Sequence, residues 1–115
     1  MPCALAARRS RRSGSPEQGR ALNAAVRASC EEDRRRLASP LSRQALTDLA
    51  HRIKGMALMI DAQALAGAAT ALELALEAGE PAEAARCALG RALLEQEHCC
   101  AQRTDAGQLA SAAAT

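Results

Sequence analysis

Aromatic side chains are missing altogether from the 115 residues: there is no Phe, Tyr or Trp. A core without rings has to be built from Leu, Ile, Val, Met, Cys and Ala, and helices with Ala at their seams can approach closely. Proline and glycine are sparse, at four and seven residues. The dominant Ala, Leu, Glu, Gln and Arg are strong helix formers, so the composition favours an all-α fold in a single domain. Long apolar runs are lacking as well. No stretch reaches the roughly eighteen consecutive apolar residues that a membrane span needs, which predicts a soluble segment with no membrane contact. No P-loop or Gly-rich phosphate motif is present, and one domain leaves no second one to hold ATP.

Cysteine is present but unpatterned. The five residues Cys3, Cys30, Cys87, Cys99 and Cys100 are odd in number and contain no CxxC pair, so neither a disulfide framework nor a zinc site is expected. His98-Cys99-Cys100 is a poor metal cluster, because adjacent helical residues point about 100° apart. No bound metal and reduced thiols are the expectation. The net charge of +2 is small, and the cluster Arg8, Arg9, Arg11, Arg12 has no interleaved aromatic to stack on bases, which argues against nucleic-acid binding. Those arginines follow the apolar Ala4-Leu5-Ala6-Ala7 rather than precede it, the reverse of a secretory signal. Residues 1–14 therefore read as a flexible basic lead-in or linker.

Helix signals begin at Ser15-Pro16-Glu17-Gln18, with serine as N-cap and proline in the first turn. Leu22, Val26, Cys30 and Leu37 continue an apolar stripe, and residues 31–36 (EEDRRR) read as solvated acid–base pairs. Ser29 with Glu32 forms a second possible capping box, which leaves open two short helices in place of one. Ser39-Pro40 ends the segment. A second helix runs from N-cap Ser42 to Ile60. Asp61 reads as the N-cap of a third, with Ile60 and Leu65 as its staple and Leu65, Ala69, Leu72 and Leu76 as its buried face. Gly79 suits a left-handed C-cap, and Pro81 the first turn of a fourth helix. There Ala85, Ala88, Leu89, Ala92 and either Leu93 or Leu94 close the core. Residues 101–115 carry no sustained stripe and read as a flexible tail. Four amphipathic segments with short links predict an up-and-down antiparallel four-helix bundle over residues 15–100.

The second helix carries the chemistry. Leu46, Leu49, Ala50, Ile53, Ala57 and Ile60 recur at three- and four-residue steps and define one buried stripe. At about 3.6 residues per turn His51 points roughly 150° from its centre. Lys54, Gly55 and Leu58 share that outward sector, with Thr47 a turn before at its edge. A neutral imidazole nitrogen is a nucleophile near neutral pH, and a phosphoryl group on it needs positive charge nearby, which Lys54 supplies. Gly55 removes a side chain beside the ring, so a partner's active site can approach. It costs about 1 kcal/mol of helix propensity against alanine, which suggests a reason for its presence. Leu58 adds an apolar docking point.

The ordered run His51-Arg52-Ile53-Lys54-Gly55-Met56-Ala57, followed by Ala62, Leu65 and Leu72-Glu73, resembles the histidine phosphotransfer (HPt) domain, whose pattern is H-x-x-K-G-x-A, then a Gly-Ala turn, a leucine and a Leu-Glu pair. It is most similar to the modules that end unorthodox hybrid sensor histidine kinases of the Bordetella virulence-sensor type. Asp61 stands where the family usually has glycine. The resemblance implies a bacterial phosphorelay in two-component signal transduction: His51 accepts phosphate from a receiver-domain aspartyl phosphate and passes it to a response-regulator aspartate. It implies no cofactor on this chain, Mg2+ in the partner receiver, and no kinase activity of its own. Either Glu73 or Thr70 on the third helix would orient the imidazole, and the motif position favours Glu73. A competing reading is a non-catalytic adaptor bundle, or a receiver-docking module without transfer, in which His51 is incidental. A dimerising kinase helix fits less well. Arg52 stands where that helix carries an acid, and its proline is absent, so a monomer is expected.

Overall fold

The computed structural model describes residues 16–114, and the side chains of residues 16–103. They form four helices with no strand among the described residues: α1 Pro16–Ala38, α2 Arg43–Met59, α3 Gln63–Glu77 and α4 Glu83–Ala114. α1 packs along α4, α4 along α3, and α3 along α2, while α1 and α2 meet more sparingly. The architecture is an all-α up-and-down four-helix bundle. The expected N-cap Ser15 and the basic lead-in lie outside the described residues.

Each helix turns its apolar stripe inward. On α2, Leu46, Leu49, Ala50, Ile53 and Ala57 are all buried; on α3 so are Leu65, Ala69, Leu72 and Leu76. On α4 Leu93 is fully buried and Leu94 faces outward, because only the former continues the four-residue step from Leu89. Leu22 departs from its expected place and is 52% exposed. Successive four-residue steps drift about 40° each around a helix, so by Leu22 the row has left the seam defined by Cys30. Asn23 takes the inner position instead, and its Nδ2 donates to the Cys100 carbonyl at 2.7 Å. α1 is one continuous helix, so Ser29 and Glu32 cap nothing.

The α2 start is as the sequence suggests: Ser42 Oγ accepts from the Ala45 amide at 3.1 Å. Its end corrects the reading of Asp61. That residue is not an N-cap; it has φ 58° and sits just beyond the C-cap Ile60, while Ala62 precedes α3 without a side-chain cap. The Ala62 amide donates to Ala57 at 2.8 Å and the Asp61 amide to Leu58 at 3.4 Å, the two bonds of a Schellman motif. Asp61 therefore holds the left-handed position that glycine fills most cheaply, and a short polar side chain tolerates it. α3 ends in the same way: the Glu80 amide donates to Ala75 at 3.0 Å and the Gly79 amide to Leu76 at 3.2 Å, with Gly79 at φ 70°. Pro81 stands two residues before α4, not in its first turn, and Ala82 supplies the first carbonyl, to Arg86. α4 continues past Cys100 to Ala114. Alanine-rich sequence sustains helix without a core stripe.

Cys30 and Cys87 are free thiols. Burial, reinforced by the neighbouring Cys100, Asp33, Glu97 and Glu31, pushes the Cys30 thiol up to about 12, so it stays protonated. The expectation of reduced thiols fails at Cys99, which is disulfide-bonded. Adjacent helical residues point about 100° apart, so Cys100 turns into the core while Cys99 stays half-exposed and reachable.

Gly79 has open space where a Cβ would sit, so substitution there meets backbone strain alone. Gly79→Ala should lower stability by about 1 kcal/mol, read as a lower urea midpoint at unchanged helical circular dichroism.

Candidate functional site

Because five buried residues fix the rotation of α2, the opposite face of that helix is presented to solvent. His51 stands on it with 78% of its side chain exposed. Across the α2–α3 seam, Glu73 turns from α3 toward the same spot. Its neighbour Leu72 is fully buried, which holds α3 in the rotation that brings Glu73 to the edge of the seam. Glu73 Oε2 lies 3.5 Å from His51 Nδ1, and Glu73 Oε1 lies 3.8 Å from Lys54 Nζ. One carboxylate thus stands between the imidazole and the ammonium, one oxygen toward each. Oε1 is buried and has no hydrogen-bond partner among the described residues, so its contact with Lys54 is electrostatic.

This geometry leaves the far nitrogen of the ring, Nε2, facing away from Glu73. An imidazole whose Nδ1 proton is held by a carboxylate carries its lone pair on Nε2, the arrangement of an oriented nucleophile. Lys54, with a side chain 35% exposed, is one turn from the histidine and can reach a group added to the ring. Gly55 has nothing within 4 Å of where its Cβ would lie, so the approach on that side is open. Leu58 is 59% exposed on the same face. Thr47 is half-buried and spends its hydroxyl on the Arg43 carbonyl at 2.9 Å. Thr70 does the same on α3, donating to the Ala66 carbonyl at 2.8 Å. Glu73, not Thr70, is therefore the α3 side chain beside the imidazole.

The family model described as the Hpt domain matches residues 16–112. The chain belongs to the Hpt domain family. No curated protein and no solved structure matches it. Hpt domains are phosphotransfer modules of two-component phosphorelays. They interact with receiver domains and have no kinase activity of their own. Among the described residues of this Hpt chain, no helix is long and apolar enough to cross a membrane, and no group of three or more His, Cys, Asp or Glu is arranged to hold a metal ion.

Two residues of α1 were misread in the sequence as solvated. Asp33 of α1 is 1% exposed and accepts from Nη2 of Arg52, the residue after His51. The next residue, Arg34, forks onto Glu97 of α4 at 2.7 and 3.0 Å. A signal was available. Val26, Cys30, Asp33 and Leu37 follow steps of four, three and four, so Asp33 lies on the core stripe itself. Glu97 likewise continues Leu89 and Leu93.

Since Gly55 is exposed in mid-helix with free space around it, nothing inside the fold requires glycine there. Gly55→Ala should raise stability by about 1 kcal/mol, checked by urea denaturation; a loss would show that the backbone itself needs the glycine.

Proposed function

We propose that His51 is the phospho-acceptor of this Hpt domain, taking a phosphoryl group from the aspartyl phosphate of one receiver and delivering it to the aspartate of another. The observation that carries the reading is the exposed imidazole with its Nδ1 beside Glu73 and its other nitrogen open to solvent. In the accepting step Nε2 attacks phosphorus, the N–P bond forms, the P–O bond to the receiver aspartate breaks, and the carboxylate leaves. Delivery is the same exchange in reverse, with a second carboxylate as nucleophile. Glu73 holds the Nδ1 proton through both, and so keeps the ring in the right tautomer and stabilises the positive charge that the ring carries while phosphorus is bound to it.

Lys54 offsets the charge of the transferring group, as phosphoryl transfer depends on positioning and charge neutralisation more than on covalent help. The receiver contributes the Mg2+ and most of the remaining stabilisation. Gly55 and Leu58 form the docking ground, open beside the ring and apolar below it, with Thr47 at its upper edge. On this reading the chain acts as a monomer on the cytoplasmic side, as the Hpt part or partner of a bacterial hybrid sensor kinase.

The test is label transfer from receiver domains charged with acetyl phosphate. The chain should acquire acid-labile, base-stable phosphate, and His51→Gln should acquire none. Label retained in His51→Gln, or no label from a broad set of receivers, would count against the proposal. Lys54→Ala should remain folded and transfer roughly ten-fold more slowly, the equivalent of about 1.4 kcal/mol in the barrier. In nitrogen NMR of the imidazole, Glu73→Ala should reduce the Nδ1-protonated tautomer. An unchanged tautomer balance would remove Glu73 from the mechanism.

A further inference from the structure

We infer that Asp33 and Arg52 form a clamp that sets the direction of His51, with Asp33 as a positioning residue for phosphoryl transfer; the inference rests on the phosphotransfer reading above. It begins at the thinnest seam of the bundle. α1 and α2 pack on each other more sparingly than the other neighbouring helices, yet α2 carries the histidine. Across that seam the side chain next to His51 in sequence, Arg52, donates to Asp33 Oδ1. α1 is in turn pinned to α4 by the two-pronged Arg34–Glu97 contact at 2.7 and 3.0 Å. Asp33 and Arg34 thus hold a wall on either side of α1, and the histidine helix is referenced to a rigid frame.

Stability does not explain the choice of residues. Asp33 is 1% exposed, and its Oδ2 has no hydrogen-bond partner among the described residues. A buried carboxylate with one satisfied oxygen carries a desolvation cost that a single ion pair rarely offsets, and apolar replacements of such pairs are commonly neutral or stabilising. The position lies on the stripe between Cys30 and Leu37, where a leucine would fill the space with no charge to bury. An ion pair supplies what apolar contact does not: one donor meeting one acceptor, in one direction. In a seam without aromatic side chains and with little packing, that contact fixes how α2 sits against α1, within the rotation its buried stripe sets, and so refines the aim of Nε2.

The test separates this role from a structural one by setting stability against rate. Asp33→Leu leaves no unpaired charge in the core, because the Arg52 side chain is 50% exposed and can turn to water. Its melting temperature should match or exceed that of the unmodified chain. With a receiver domain that labels the unmodified chain, its transfer rate at saturating receiver should fall about ten-fold or more, since misplacement by about 1 Å can cost roughly a hundred-fold. The half-saturating receiver concentration should change by less than about two-fold, as the docking face is untouched. The double variant Asp33→Leu, Arg52→Ala should transfer at the rate of Asp33→Leu alone, because the two act as one unit. A saturating rate within about two-fold of the unmodified chain, a fall in melting temperature that parallels the fall in rate, or a further independent loss in the double variant would each overturn the clamp. If the unmodified chain takes no label from any receiver, the phosphotransfer reading fails; if it labels and Asp33→Leu labels equally fast, only the clamp does.

Discussion

The inward packing of Leu46, Leu49, Ala50, Ile53 and Ala57 is the constraint on which the rest of this molecule depends. None of the five is more than 4% exposed, so α2 cannot rotate without bringing apolar surface into water. Burying a side chain such as Leu or Ile is worth about 1.5–3 kcal/mol, and five positions on one stripe specify one rotation. The consequence appears on the other side of the helix. His51 is held outward because its neighbours are held inward, and an exposed side chain is given a fixed direction without any contact of its own in the core.

Around that stripe, charged contacts tie the histidine helix to its neighbours. Glu73 links it to α3 through His51 and Lys54, and Asp33 links it to α1 through Arg52. They differ in kind. Glu73 sits at the seam's edge with 22% of its side chain exposed, where it can respond to a change of charge on the ring. Asp33 is sealed inside. A chain with no aromatic residue has few large shapes with which to fix helix positions, and directional charge contacts serve in their place.

Much of this was legible in the sequence for a definite reason: helical periodicity reports burial directly. The stripe of α2 and the outward placing of His51 and Leu58 follow from counting residues, and Gly79 at its left-handed turn follows from glycine's freedom at positive φ. Asp61 was misjudged because an aspartate before a helix is so often an N-cap, whereas here the turn needed a left-handed residue first. Leu22 was misjudged because repeated four-residue steps drift off a seam. Asp33 and Arg34 were hidden for another reason: in a run of three acids followed by three arginines the residues find local partners at three or four positions, and only the stripe shows which positions face another helix. Their partners Arg52 and Glu97 lie far along the chain, and nothing local announces them.

On the proposed reading the fold aims one nitrogen of one side chain, Nε2 of His51, at a partner, with Nδ1 facing Glu73. Phosphorus NMR of the nitrogen-15-labelled chain, charged by a phosphorylated receiver, tests it most directly through the coupling between phosphorus and the ring nitrogen. A single phosphohistidine resonance coupled to Nε2 of His51 is expected. Phosphorus on Nδ1, or on any other residue, would contradict it.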